Sequence, residues 1–418
     1  MEKFRPGQYN LKRFIIITET NVIDIRNVFL EINLYEDLFS FSYSGNVAII
    51  ESDNLPGVEK ILGGERILFD AELYNEVDGQ IQKLDVSFLG FVSKISTEFV
   101  QATGTAKKYS IEFVSEQHVQ NLKTRISKSF VKKPLHEIVK YCFNALQTEA
   151  PLTVENTQTT LEKVIIPNWT PFRAINWCAE KAIQTESRIG SSLSSFVFFQ
   201  TLNESRFWFR SFDNLYKQPP KKEIYYFVKK THSFDVDIRK YSTADTFEVL
   251  NNFDLIKLGM EGAYSSRLTE ISVTEKRWKN TVFNYRDDFQ KKFDSLNKNP
   301  FYNQYLNPFL DSTSMVLYMK SMELGSNVNM AKQVRTSQLS LLNNHRIKIR
   351  IPASPNLSVG DVVDFKYPDF RKDTSKTSGL DMTHSGLYLI TGINHHFTSE
   401  KYMMVMELVK ESIGGEEQ

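Results

Sequence analysis

Two cysteines and seven histidines are the side chains in this chain best able to do nucleophilic or metal chemistry, and their spacing argues against both. His136-Glu137 opens like a zinc-peptidase motif, but Ile138-Val139-Lys140 follows and the second histidine is missing. His395-His396 offers two imidazoles in succession. Neighbours on a strand point to opposite faces, so this pair is expected to send one ring each way rather than share a metal. Asp235 and Asp237 stand two apart as in a calcium loop, without the glycine and glutamate that complete one. Gly63-Gly64 lacks the Lys-Ser/Thr of a phosphate loop and reads as a turn. Cys142 and Cys178 each fall on the apolar stripe of a helical pattern with no histidine beside them, which predicts packed core. Asp287-Asp288 is a carboxylate pair in a loop-like stretch. Asn203-Glu204-Ser205 and Asn356-Leu357-Ser358 match a glycosylation pattern without a secretory context. No catalytic, cofactor-binding or metal-binding residue is assigned, and no cofactor is expected.

The bulk properties agree. A chain of 418 residues exceeds the size at which one core stops growing, and predicts two to four domains. Thirty-one Phe and eighteen Tyr mark a folded chain. The 51 basic and 50 acidic residues cancel, which excludes a broad basic surface for nucleic acid. The N-terminus carries no signal-peptide pattern, and no apolar run approaches the ~20 residues that span a bilayer. Synthesis in the cytoplasm is the expectation.

The elements form three groups. Residues 1–117 read as strands: Val28, Leu30, Ile32 and Leu34 alternate with polar neighbours, and Val47, Ile49, Ile67, Phe69, Val86, Phe88, Tyr109, Ile111 and Phe113 continue the period of two. Gly45, Gly63-Gly64, Asp78-Gly79 and Gly104 punctuate the runs, with Asp78-Gly79 the best hairpin turn. Residues 118–235 form a small α+β unit. One helix starts at Pro134 and carries Leu135, Ile138, Val139, Cys142, Ala145 and Leu146. A second starts at Thr170-Pro171 and carries Phe172, Ile175, Cys178, Ala179 and Ala182. A strand pair follows at Phe196 to Gln200 and Arg206 to Phe212. Residues 236–280 and 343–412 return to strand patterning, for example at Phe247, Val249, Ile256 and Leu258. An insertion occupies 281–342 and ends in a helix with Val334, Leu339 and Leu342 inward. A polar tail closes the chain at 413–418.

The two strand-rich groups repeat one another. Gly64-Glu65-Arg66-Ile67 parallels Gly360-Asp361-Val362-Val363. Val92-Ser93-Lys94-Ile95, through Phe99, parallels Ile390-Thr391-Gly392-Ile393, through Phe397, with equal spacing to the Phe. Lys108-Tyr109 leading to Glu112-Phe113-Val114 parallels Lys401-Tyr402 leading to Glu407-Leu408-Val409, two residues longer. Three blocks in one order predict a duplicated domain. Two copies per chain give three chains six nearly equivalent places in a ring.

Ile165-Ile166-Pro167-Asn168-Trp169-Thr170-Pro171-Phe172, running into Ala174-Ile175-Asn176-Trp177-Cys178-Ala179, resembles the helical segment of phage baseplate hub proteins. So does Val28 to Asn54, with its Leu34-Tyr35-Glu36-Asp37-Leu38-Phe39 step. The ending from Gly360-Asp361 through Gly386-Leu387-Tyr388 and His395-His396 to Tyr402 is similar to the C-terminal tube-like domain of that family, which is related to the hub part of type VI secretion spike proteins. The resemblance implies an α+β, β-rich multidomain fold, with two tube-type antiparallel β-domains flanking a small α+β domain. It implies a non-enzymatic hub in the tail baseplate of the virion, a homotrimer that adapts a six-fold tail tube to a three-fold central spike. The implied partners are that spike, here a separate chain, the tail tube protein, and tape-measure and baseplate wedge proteins; DNA would pass the lumen without specific binding. The competing expectations are the hub of a phage-like secretion device, a tail-tip carbohydrate-binding adhesin using Trp208, Trp278, Tyr302 and Tyr305, and a tail hydrolase, which lacks any recognisable nucleophile, base or metal cluster.

Overall fold

The computed structural model describes residues 6–51, 61–77, 80–99, 107–184, 195–226, 240–288, 294–301, 315–320, 326–369 and 379–414. Asp78-Gly79, Gly104, Asp235, Asp237, Tyr302 and Tyr305 lie outside them. The fold is β-rich α+β in several units, and its largest element is one mixed sheet of fourteen strands. Both strand-rich groups belong to that sheet.

In the first group the strand order is Phe29–Asp37, Ser44–Glu51, Lys107–Ser115, Gln80–Phe99, Arg66–Val77, Tyr9–Ile17, Val22–Asp24. In the second it is Thr246–Asn252, His345–Pro352, Tyr402–Lys410, Gly386–Thr398, Val362–Lys366, Lys222–Tyr226, Thr243–Ala244. Position by position the first five strands correspond, they occur in the same order along the chain, and all their neighbouring pairs are antiparallel. The correspondence extends to single residues. Gly64 N–H donates to the Val92 carbonyl at 2.8 Å and Val92 N–H to that of Glu65 at 2.9 Å; Gly360 to Ile390 and Ile390 to Asp361 repeat both bonds at 2.9 Å. A β-bulge interrupts each central pair just beyond, between Val92 and Lys94 in one and between Ile390 and Gly392 in the other.

Each sheet curls until its outer strands approach. Phe14 meets Phe29 edge-on at 5.4 Å in the first, and Tyr226 meets Phe247 at 5.6 Å in the second. The two interiors are one hydrophobic cluster, with Phe397 of the second group packed on Phe69 of the first at 4.8 Å.

Between the groups lie helices Glu116–Lys123, Leu135–Asn144 and Pro171–Lys181. The second and third of these pack on a second core that contains Phe143, Phe172, Phe198 and Phe207. Thr170 and Pro171 occupy the N-cap and first turn as their types predict, and Phe196–Gln200 pairs with Phe207–Ser211. A separate three-stranded sheet is formed by Ser265–Ser272, Arg277–Asn284 and Met315–Lys320, and a third core beside it joins Tyr264, Phe283 and Tyr285 to Ala331, Val334 and Leu341 of the helix Asn327–Leu341. Val334 is buried there, whereas Leu342 is buried in the main core and the half-buried Leu339 packs against it.

Several local expectations need correction. Leu30 faces solvent and Phe29 faces the core, because a bulge between Phe29 and Glu31 resets the alternation. Ile256 and Leu258 lie in the short helix Leu255–Met260, where Leu258 is buried and Ile256 exposed, and not in a strand. Pro134 caps the helix that Leu135 begins. The second tube-like sheet is not wholly antiparallel: Lys222–Tyr226 runs parallel to both Val362–Lys366 and Thr243–Ala244. Ser265–Ser272, grouped by patterning with the second sheet, pairs instead with Arg277–Asn284 and Met315–Lys320. In the tail, Ser412–Ile413 pairs with Asn299–Pro300.

Two predictions follow from this packing. Gly64 and Gly360 have φ of +90° and +84°, so alanine at either costs about 1–2 kcal/mol of backbone strain. At Gly64 the added carbon meets nothing within 4 Å, whereas at Gly360 it stands 2.9 Å from Phe199 Cζ. Gly360→Ala therefore lowers the denaturation midpoint more than Gly64→Ala. The second concerns acid. Burial, with Lys410 and His384 nearby, holds the His345 imidazole down at about 2. The unfolded chain titrates this group near 6.5, so between those values it binds more protons than the native state. Its contribution is fully present above pH 6.5 and is lost as pH falls toward 2. His345→Gln should flatten the acid limb of a stability-against-pH curve.

Candidate assembly interface

The strand Phe29–Asp37 has two neighbours, and they come from different groups. Ser44–Glu51 lies on one edge and Gly386–Thr398 on the other. The second pairing runs antiparallel from Gly392 opposite Asp37 to Thr398 opposite Glu31, with His395 facing Leu34 and Phe397 facing Ile32. Leu38 N–H, donating to the Thr391 carbonyl at 2.9 Å, extends it to the bulge.

The inward face of this joint holds a buried polar chain. His395 Nε2 lies 2.8 Å from Glu36 Oε1, and its Nδ1 lies 2.6 Å from the Tyr402 hydroxyl. With the hydroxyl donating to Nδ1 and Nε2–H donating to the carboxylate, a neutral imidazole satisfies both contacts. The other Glu36 oxygen accepts from Val359 N–H at 3.4 Å. Burial pushes the Tyr402 phenol well above its ordinary value, with the Glu36 charge adding to the effect. Around the chain, Phe397 stacks on Tyr402 at 3.9 Å and meets Tyr9 edge-on at 5.6 Å. On the outward face His396 lies 3.2 Å from Glu31, and Asn394 donates to Asn33 at 3.0 Å. The two histidines thus point to opposite faces, and each has a carboxylate partner. Among the described residues no group of three or more His, Cys, Asp or Glu is placed to hold a metal.

The other chemistry-bearing candidates are scattered. Cys142 and Cys178 are buried in the second core, where burial pushes the Cys142 thiol up to about 12 and the Cys178 thiol higher. His136 Nδ1 accepts from Thr157 N–H at 3.1 Å. Asp288 accepts from Asn284 N–H and Arg286 pairs with Asp287, both in the short turn of helix Tyr285–Asp288. Among the described residues no helix is long and apolar enough to cross a membrane.

Sequence reasoning singled out His395 but missed Glu36, its partner. A signal was present. Leu34, Glu36 and Leu38 share the inward period of one strand, and Ile393, His395 and Phe397 share that of another. An acid and a histidine on two core-facing stripes each require a buried partner.

No protein-family model matches the chain, and no curated protein matches it. Solved structures do. The 43 kDa tail protein of prophage MuSo2 from Shewanella oneidensis superposes with a TM-score of 0.56 at 10% identity, over 96% of this chain and 100% of that one. The tail protein from Neisseria meningitidis MC58 gives 0.56 at 10% identity, over 97% of each chain. The chain has the fold of phage tail proteins. Both superpositions span nearly the whole of this chain. The resemblance to baseplate hubs read from the sequence holds at the level of fold.

The joint makes its own prediction. Glu36→Ala leaves the His395 N–H buried without an acceptor and should cost about 3 kcal/mol. Glu36→Ala combined with His395→Ala should cost less than the sum of the two single changes, because the first already removes the shared contact. Additive losses in a denaturation double-mutant cycle would contradict the pairing.

Proposed function

We propose that this protein is a structural hub of a phage tail baseplate. Three copies form a ring of six similar sheet domains, seated between a six-fold tail tube and a three-fold central spike, and DNA passes through the lumen. The observation that carries this reading is the five-strand unit present twice in one chain and already joined edge to edge. A chain so built supplies two successive positions of a ring, and three chains supply six. The tail-protein fold supports the setting. The balanced charge supports a conduit, since a lumen rich in Lys and Arg would hold DNA by its phosphates. The partners on this reading are the spike and the tube protein on opposite faces, with tape-measure and wedge proteins adjoining. The role is architectural rather than enzymatic, its place is the tail of the virion, and the same ring would serve a phage-like secretion device.

The domain division that goes with it assigns 1–117 and 236–280 with 343–412 to the two tube-like domains, 118–235 to the middle domain and 281–342 to an insertion.

A second reading has one observation in its favour. Trp278 is 67% exposed and Tyr318 70% exposed on the outlying sheet, as sugar-stacking residues of an adhesin would be. Binding of glycans by the isolated protein, abolished by Trp278→Ala, would favour it over the hub.

The test of the hub is the assembled particle. Imaging should find three copies in a ring with a central hole between tube and spike; two or six copies would overturn the reading. The isolated protein should also show no sub-micromolar, salt-sensitive binding of duplex DNA in a fluorescence titration.

A further inference from the structure

A cavity of ≈ 400 Å³ opens where the first sheet meets the middle domain, a size that suits a small-molecule ligand. Tyr43 and Leu89 line it from the first sheet. Glu116 and Gln120 line it from the helix Glu116–Lys123, and Glu149 and Ala150 from the stretch after the helix Leu135–Asn144. Its walls are already tied down. The Tyr43 hydroxyl donates to the Leu89 carbonyl at 2.9 Å, Gln117 Nε2 donates to Thr148 Oγ1 at 3.0 Å, and Gln200 Nε2 donates to Gln117 Oε1 at 3.2 Å. Gln147 and Ser205, also on the wall, hold left-handed φ of +54° and +48°. Such positions persist only where their surroundings over-determine them, so the cavity is pre-formed.

The free groups of the wall are acceptors. No Lys, Arg or His lines the cavity, while Glu116 and Glu149 each bring a carboxylate that has no hydrogen bond or ion pair among the described residues. Burial pushes the Tyr43 phenol up to about 12, and the Glu116 charge adds to the shift, which puts that carboxylate near the hydroxyl. Gln120 Oε1 is buried with no donor among the described residues. The rest of the lining includes apolar surface from Leu89, Ala150 and the Tyr43 ring. We propose that this cavity binds a linear polyamine, whose ammonium groups sit against the Glu116 and Glu149 carboxylates while its methylene chain lies along Leu89 and Ala150.

A polyamine fits these walls better than a metal ion. Calcium takes about six to eight converging oxygens and magnesium about six. Two carboxylates beside an aliphatic wall do not supply that set, and the space is far larger than a bare ion fills. A linear polyamine instead carries N–H donors at intervals along an apolar chain, as the wall carries acceptors and apolar surface. Anionic ligands such as nucleotides meet two carboxylates and no cation. A polyamine bound here touches the first sheet and the middle domain together. It binds only while the two are docked, so it stabilises the folded chain in proportion to its occupancy. The site lies within one chain, goes beyond the hub reading and does not depend on the ring.

Calorimetric titration of the full chain with spermidine at low ionic strength tests this. One saturable site per chain is expected, and saturating spermidine should raise the denaturation midpoint. Glu116→Gln combined with Glu149→Gln should weaken binding about tenfold or more and abolish the rise. Glu116 opens its helix, so that pair of changes can also disturb folding. Glu149 is exposed, and Glu149→Gln alone should weaken binding about threefold with the midpoint of the free protein unchanged. The control carrying Glu19→Gln and Glu400→Gln removes the same charge from exposed positions and should bind as the parent does. Butylamine, with one ammonium, should bind about tenfold more weakly than spermidine. No saturable binding by the parent overturns the site. So does an equal loss in the control, or displacement of spermidine by magnesium at matched charge, since either marks diffuse attraction of cations. All these outcomes leave the hub reading standing.

Discussion

Everything in this molecule depends on the antiparallel joint between Phe29–Asp37 and Gly386–Thr398. A sheet edge exposes a row of backbone donors and acceptors, and a soluble protein must pair or protect them. Here residues more than three hundred and fifty positions apart do so for each other, and the two sheets become one sheet with one core. The joint is not backbone alone. Phe397 enters the core of the first sheet beside Phe69 and Tyr9, while Glu36, from the first sheet, reaches the imidazole of the second. Each sheet therefore buries a residue of the other, and the angle between them is set by side-chain packing as well as by hydrogen bonds. A buried Glu–His contact contributes little net stability compared with apolar packing, but it fixes register. A slip of one residue would turn His395 outward and leave Glu36 without its partner.

The bulges make room for that joint. An extra residue in a strand increases its local twist and bends it away from its neighbour. At Thr391 the bend comes where Val362–Lys366 and its leading residues end, so one long strand serves two partners along the same edge, first its own sheet and then the other. The preceding glycine, Gly360, turns the chain away at a positive φ that a side chain would resist. Gly64 and Ser93 repeat the arrangement in the first sheet. The repeat therefore preserves the device that opens an edge together with the strands.

Much of this was legible in the sequence, for a physical reason. Period-two alternation and the turn glycines report local geometry, and the three repeated blocks fall on the turn, the bulge and the paired strand that define the joint. What was illegible is of two kinds. The bulge at Leu30 and the helix at Ile256 and Leu258 look like uninterrupted alternation, because one inserted residue or a single helical turn changes the spacing too little to register over so short a run. The extent of the repeat was also hidden. Its first strands, Phe29–Asp37 and Thr246–Asn252, share a place in the sheet but little residue identity, since one lies between two strands and the other, among the described residues, pairs with one. Glu36 went unassigned because its meaning depends on a histidine that only the folded sheet brings beside it.

The two copies differ where the chain enters and leaves them. The five shared strands run in one order, but the outer two positions are filled by different means. In the first copy a hairpin, Tyr9–Ile17 and Val22–Asp24, lies antiparallel to Arg66–Val77. In the second, Lys222–Tyr226 arrives from the middle domain and runs parallel to Val362–Lys366. A polypeptide emerging from an intervening domain cannot reach the same sheet position in the same direction without a longer connection, so polarity yields to connectivity while the position stays filled. Likewise, where Leu38 to Tyr43 form a short turn between the first two strands of one copy, the other copy places a whole unit, with its own sheet, helix and core, between Thr246–Asn252 and His345–Pro352. The shared strands give the two domains similar faces, and the unshared connections give them different ones. In a ring of such chains the first would be read as six-fold and the second as three-fold. On the proposed reading of three chains in a ring, one duplicated unit with unequal connections would present both symmetries from a single polypeptide.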